Sequence, residues 1–343
     1  MKTILIVTDN LPEQINGVVT TYKNIEACAT MDGYNIVFLH PGCFSYISCP
    51  FYNEGKMADP GTLGQKIEEI NPDHIHIATE GPLGLWARAY LSLDSGRRYN
   101  TAYHTKFPEG LKKLLGVPES ITWRYVRWFH KHTGRVLTTT DTMVKELQDH
   151  GFTGDIVSWT RGVDRDIFRP GHGGNTDIVN LVCVSRVSKE KNLKAFFELE
   201  YPNSRKIMVG DGPMREEYQR RYPDVMFVGF KTGSELAAYY QSADVFVFPS
   251  KTDTFGLVIL EAMACGCPVV GSNSSSLPEL VGNAGLLVDP LDVEDIAKNL
   301  KSIIYDLKLK KTLIERGFEQ VRKFSWEKCA KQTLTVLERA GGN

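Results

Sequence analysis

A chain of 343 residues exceeds one ordinary domain, so two are expected, and 42% apolar residues are enough for a core in each. A formal net charge of −1 excludes a global field that would recruit nucleic acid or anionic membrane, so any basic patch is local. The seven cysteines are odd in number and form no CxxC pair, which argues against a disulfide framework or zinc site and for a reducing compartment.

The run Ile4 to Val7 is too short for a signal peptide and meets Asp9. No apolar stretch is long enough to span a bilayer. A soluble, cytoplasmic protein is expected, at most peripheral on the inner membrane face.

In chain order, Thr3 to Thr8 is a continuous apolar run, the pattern of a buried parallel strand. The loop Gln14-Ile15-Asn16-Gly17 follows, then a helical segment from about Val18 to Met31. A glycine at a strand-to-helix turn lets backbone approach a ligand, although a plain tight turn explains it too. This is no GxGxxG fingerprint, which weakens a dinucleotide-dehydrogenase reading. Asn35 to Leu39 is the next strand, and Pro41 to Pro60 reads as irregular. The strand His74 to Ala78 carries two alternating histidines, read as packing residues because no third metal ligand is legible. Ala78 to Gly84 then places a polar loop, with Glu80, between strand and helix.

Asn100 to Tyr103 leads into His104-Thr105-Lys106-Phe107-Pro108-Glu109, a histidine at a strand's carboxyl end before a Pro-bounded helix. Leu111 to His132 interleaves aromatics with basics: Trp123, Val126 and Phe129 can face inward while Lys112, Lys113, Arg124, Arg127 and Lys131 stay outside. That suits an interfacial helix drawn to anionic lipid. It equally suits a core helix with snorkelling arginines. No nucleic-acid module is recognisable.

Gly171 to Thr176 is the clearest composition break and reads as a flexible linker. The strand Ile178 to Val184 runs into Ser185 to Asn192, which holds Arg186, Lys189 and Lys191. Ile207 to Val209 ends in Gly-Asp-Gly-Pro, and Val225 to Phe230 is a further strand. Then comes the informative stretch. The strand Asp244 to Phe248 is broken by Pro249 and Ser250, Lys251 to Gly256 is polar, and LVILEAMA starts a helix. Such a junction points backbone N–H groups and a helix dipole at an anion. Asp253 and Glu261 stand eight positions apart, up to about 12 Å at roughly 1.5 Å per helical residue, enough to straddle a diphosphate. Spacing alone is also met by two solvated acids on an ordinary α/β element. Val293 to Leu307 reads as an amphipathic helix, and Phe324-Ser325-Trp326 opens a terminal one.

Residues Pro249 to Gly271 resemble the acidic-x7-acidic motif of the retaining glycosyltransferases of family 4, with Asp253 where most members have Glu. The version TDTFGL is similar to the branch of bacterial α-mannosyltransferases and sulfoquinovosyltransferases that act on lipids. The resemblance implies a GT-B fold: two doubly wound, Rossmann-like α/β domains facing a central cleft. The expected division is 1–170 on the acceptor side, 171–323 binding the nucleotide sugar, and a helix over 324–343 crossing back to the first domain.

It further implies that Arg186 and Lys191 clamp the donor diphosphate, Glu261 holds the ribose, and Asp253 holds the sugar or its loop. Thr254, Phe255, Gly256 and Leu257 would complete the donor site, with Asn16 and Gly17 supplied from the first domain. His104 would serve the sugar and acceptor, with Thr105, Lys106 and Glu80 beside the acceptor. No cofactor or metal is expected, since this fold neutralises the diphosphate with side chains and helix dipoles. The triplet Asp164-Arg165-Asp166 is therefore read as structural. The implied reaction is hexose transfer from GDP-mannose or a UDP-sugar to a hydroxyl of a lipid or glycan acceptor, with configuration retained. The competing readings are a soluble or polysaccharide acceptor and a catalytically silent sugar-nucleotide-binding protein.

Overall fold

The computed structural model describes residues 1–48, 56–93, 97–171 and 177–339. Cys49 and almost all of the expected linker thus lie outside the described residues. The chain forms two compact units, Met1–Arg161 joined by the segment from Trp326 onward, and Gly162–Ser325.

The first unit is built on six parallel strands. Their order across the sheet is Asn35–Leu39, Thr3–Val7, His74–Ile77, Tyr99–Tyr103, Val136–Thr138 and Ile156–Ser158. Ile4, Leu5, Ile6 and Val7 are buried on both faces, which is why that strand reads as an unbroken apolar run. The region expected to be irregular contains a small antiparallel pair, with Tyr46 opposite Ala58. Two helices, Phe107–Leu115 and Glu119–His130, occupy the aromatic–basic stretch, separated by Gly116 at φ 70° and by Pro118. As expected, Trp123, Val126 and Phe129 are buried, while Ile121 and Trp128 are exposed. Arg88 caps the end of that helix, donating from Nε to the Phe129 carbonyl at 2.7 Å and stacking 3.8 Å over Trp128.

The terminal helix Trp326–Arg339 packs on Gly17–Met31 and on the strand His74–Ile77. Glu338 anchors it, accepting from Lys2 and from the Tyr34 hydroxyl, each at 2.6 Å.

The second unit also has six parallel strands, ordered Val225–Gly229, Ser204–Val209, Val179–Val184, Val245–Phe248, Val269–Ser272 and Gly285–Val288. Chain order reverses direction between Val179–Val184 and Val245–Phe248. In an open α/β sheet the loops leaving the carboxyl ends of two such strands diverge and leave a ligand crevice. Those two loops carry Arg186 and Lys191 on one side, and Asp253 on the other. A helix, Leu307–Val321, packs on Leu257–Ala264 and had no counterpart in the sequence reading. Among the described residues, no helix is long and apolar enough to cross a membrane.

Candidate active site

At the crevice of the second unit, Lys191 Nζ lies 2.8 Å from Asp253 Oδ1, an ion pair between two side chains about one-fifth exposed. Asp253 Oδ2 is buried with no hydrogen-bond partner among the described residues. Leaving such an acceptor unpaired costs about 1–3 kcal/mol, so a donor group that reached it would be favoured.

The loop carrying Arg186 and Lys191 is fixed from two directions. Asn192, left-handed at φ 54°, donates through Nδ2 to the carbonyls of Pro249 (3.1 Å) and Pro290 (2.6 Å). This ties the end of one loop to the start of the other. From the opposite side, the Gly210-Asp211-Gly212 turn presses on Ser185 and Val187. A Cβ on Gly210 would stand 1.9 Å from the Ser185 carbonyl oxygen, and one on Gly212 2.5 Å from that of Val187. Only glycine allows this approach, and Gly210 also has φ +137°.

Glu261 sits on the helix Leu257–Ala264, half-buried, and accepts from the Tyr240 hydroxyl through Oε2 at 2.9 Å. Burial pushes its carboxyl up to about 7, against the opposing pull of that hydrogen bond. The helix begins at Gly256, φ 96°, which has no side chain to cap the first turn. Its leading N–H groups therefore offer an anion site. Phe255 is buried against Phe324, ring centroids 5.8 Å apart, so its ring is spent on packing. Thr254 lies beside it, half-buried, and Leu257 opens the helix.

In the first unit, Asn16 caps the helix Gly17–Met31, its side-chain oxygen accepting from Val18 and Val19 N–H at 3.0 Å each. Nothing lies within 4 Å of where a Gly17 Cβ would be, so the missing side chain relieves no internal clash and leaves the helix start approachable. Glu80 is buried, with Oε1 3.3 Å from His130 Nε2, and its carbonyl accepts from Tyr125 at 2.6 Å. Lys106 pairs with Glu146 at 2.9 Å, while Thr105 is exposed.

His104 is 6% exposed and has both ring nitrogens engaged. Arg161 Nη2 donates to Nδ1 at 3.0 Å, and Nε2 is 2.9 Å from the Tyr22 hydroxyl, which is itself 2.7 Å from His76 Nε2. Trp159 packs against Tyr22, His76 and His104, and Arg161 lies 3.9 Å over its ring. Burial lowers the pKa of His76 to about 3; burial, then the Arg161 charge, holds His104 well below the usual histidine range.

Sequence reasoning missed Tyr22, Arg161, Asn192, Tyr240 and the two glycines. Only the Gly-Asp-Gly turn carried a local signal. Tyr22, Arg161 and Tyr240 are recruited from elements distant in sequence, while Asn192 adjoins Lys191 but meets carbonyls 57 and 98 positions away. His76 matches its expectation as a packing residue, and no cluster of three or more His, Cys, Asp or Glu among the described residues is arranged for a metal ion. Asp164, half-buried, accepts through Oδ1 from the N–H groups of Asp166 and Ile167, closing a turn at the triplet.

Two family models match consecutive parts of the chain: Glycosyltransferase Family 4 over residues 33–167 and Glycosyl transferases group 1 over 179–306. A sulfoquinovosyl transferase of Arabidopsis thaliana is 28% identical over 81% of this chain, which spans 59% of that relative's length. A GDP-mannose-dependent α-mannosyltransferase of Corynebacterium glutamicum is 26% identical over 96% of this chain and 87% of its own. The crystal structure of a sucrose-phosphate synthase from Thermosynechococcus elongatus superposes with a TM-score of 0.84 at 19% identity, covering 99% of each chain, a likeness of fold. With both models in succession and two six-stranded parallel sheets beneath them, the chain belongs to the family 4, group 1 glycosyltransferases and has their GT-B fold.

Proposed function

We propose that the chain transfers a hexose from a nucleoside-diphosphate sugar to a hydroxyl of a lipid or glycan acceptor, with retention of anomeric configuration. The observation that carries this reading is the convergence of Lys191, Asp253 and the Gly256 helix start at the switch point of the second sheet. A departing nucleoside diphosphate gains negative charge as the glycosidic bond breaks. Arg186, Lys191 and the helix N–H groups answer that charge, without a metal ion in this reading. Glu261, with Oε2 held by Tyr240, keeps its other oxygen for ribose hydroxyls. Asp253 Oδ2 is a ready acceptor for a sugar hydroxyl. Within the first unit, considered by itself, Gly17, Asn16 and the strand-end loop at His104 and Thr105 are the groups this reading assigns to ligand contact. The relatives' names favour mannose or sulfoquinovose among donor sugars.

A lipid acceptor is supported by the helix Glu119–His130, which exposes Ile121 and Trp128 beside Arg124 and so has the composition of an interfacial face. Co-sedimentation with anionic vesicles tests it: binding unchanged when Lys112, Lys113, Arg124 and Arg127 become Ser removes the membrane part. For the donor, a thermal-shift screen of nucleoside diphosphates and their sugars is the direct test, because a ligand that binds the native state raises its melting temperature. Turnover assays with the stabilising donor then decide between a transferase and a silent binding protein. Binding without transfer or donor hydrolysis would favour the silent protein.

A further inference from the structure

The four polar side chains around Trp159 form a chain with one end that can only donate. A guanidinium has no acceptor, so the Arg161 contact makes His104 Nδ1 the accepting nitrogen. A neutral ring that accepts at Nδ1 carries its proton on Nε2, and that proton goes to the Tyr22 oxygen. Tyr22, having accepted from His104, turns its own hydroxyl proton toward His76 Nε2, which leaves His76 protonated on Nδ1. The cation thereby fixes the tautomer of His104, and the Tyr22 hydroxyl carries that direction on to His76, whose buried Nδ1 has no partner among the described residues. We propose that Arg161 and Tyr22 are positioning residues that hold His104 as a neutral, Nε2-protonated ring, so that this ring neither takes nor gives a proton during sugar transfer.

Geometry supports this beyond the bonding pattern. His104, Tyr22, His76 and Arg161 are each at most 6% exposed, and Trp159, 1% exposed, packs against the rings of the first three. The charged or titratable groups around the series come from every packed element: Arg161 after the strand Ile156–Ser158, His76 on its strand, Cys329 on the terminal helix and Glu80 at a strand end. The cation nearest His104 and its burial both oppose protonation. The ring thus acts by fixing where Tyr103 gives way to Thr105. The strand-end main chain and the exposed Thr105 hydroxyl are the groups left to meet a ligand.

The inference rests on the reading that this loop serves the transfer, but its primary test needs no substrate. In the intact protein labelled with ¹⁵N-histidine, long-range ¹H–¹⁵N correlations identify which ring nitrogen bears the proton; His104→Gln and His76→Gln assign the signals. The expected result is His104 protonated on Nε2 and His76 on Nδ1, with neither shifting between pH 5 and 9. His104 protonated on Nδ1, or titrating in that range, would overturn the proposal. In Tyr22→Phe, His104 should keep its tautomer because Arg161 still selects it, while His76 begins to exchange; the opposite pattern would reverse the proposed direction and sink it. Should Tyr22→Phe fail to fold, the unmodified protein's spectrum still decides. Once a donor is found, kcat against pH should show no limb that disappears in His104→Gln. Failure to turn over any nucleotide sugar would defeat the transferase reading and leave the tautomer result standing.

Discussion

Lys191 Nζ and Asp253 Oδ1 meet at 2.8 Å although 62 positions separate them in sequence. The proposed function gives each a role toward a diphosphate sugar, one by charge and one as a hydroxyl acceptor. Their ion pair holds the lysine at the crevice before any anion arrives. Asp reaches this geometry with one methylene fewer than the Glu expected at this position. Asp253→Glu should therefore overshoot the pairing distance and lower kcat/KM for the donor by about tenfold, equivalent to about 1.4 kcal/mol. Steady-state kinetics with the donor found by thermal shift would check this; unchanged kcat/KM would refute a positional role for Asp253.

Removing either cation should do more. Lys191→Ala and Arg186→Ala are each expected to reduce kcat by about 10²–10³, as for the loss of a donor that stabilises developing oxyanion charge. Single-turnover measurement at saturating donor separates this from weaker binding. A loss confined to KM would mean that the cation grips ground state and transition state equally.

Glu261 should leave a pH signature in stability. Its carboxyl titrates near 7 in the folded protein against an ordinary value of 4.5, so the native state holds this proton more tightly than the unfolded chain does. Stability from this group is complete below about pH 4.5 and is lost as pH rises through 7. Glu261→Gln removes that loss. The variant should be more stable than the parent at pH 8 by about 3 kcal/mol and little changed at pH 4.5, as read by urea unfolding of the second unit. Equal stability at both pH values would mean that the carboxyl is not raised.

The opposite sign applies to His76. Burial lowers its pKa to about 3, so the unfolded chain binds the proton more readily. Stability from keeping this ring neutral is present above the ordinary value of 6.5 and falls as pH drops, by about 1.4 kcal/mol per unit until about pH 3. His76→Gln, which can still accept from Tyr22, should flatten the acid limb of a melting-temperature profile between pH 6.5 and 4.5.

Gly210→Ala should damage folding and site together. The new methyl would stand 1.9 Å from the Ser185 carbonyl oxygen at a backbone angle that disfavours side chains. A destabilisation of about 1–3 kcal/mol is expected. Weaker donor binding should accompany it, because displacing Ser185 moves Arg186. Calorimetry of nucleoside-diphosphate binding would report the second effect.

The readable parts were those whose signal is local. The alternation of strands and helices in both halves, the apolar run Thr3–Val7 and the strand–loop–helix around Asp253 follow from patterns a few residues long. The hairpin Tyr46–Ser48 with Lys56–Ala58 escaped because three-residue strands carry almost no periodicity. The helix Leu307–Val321 was passed over because its charged residues hide a narrow apolar stripe, of which Leu313, Gly317 and Val321 are buried.

The amino-acid order alone determined the fold class, the two-part architecture and the identity of Arg186, Lys191 and Asp253 as charged groups in loops after strands, with Glu261 as an acid on the following helix, since each depends on residues near one another in the chain. Partnership was decided only by folding. Pairing of Lys191 with Asp253, support of Glu261 by Tyr240, and enclosure of His104 by Tyr22, Arg161 and Trp159 all depend on which strands become neighbours. The same burial sets the pKa of Glu261 and His76, because desolvation is a property of surroundings assembled from distant segments.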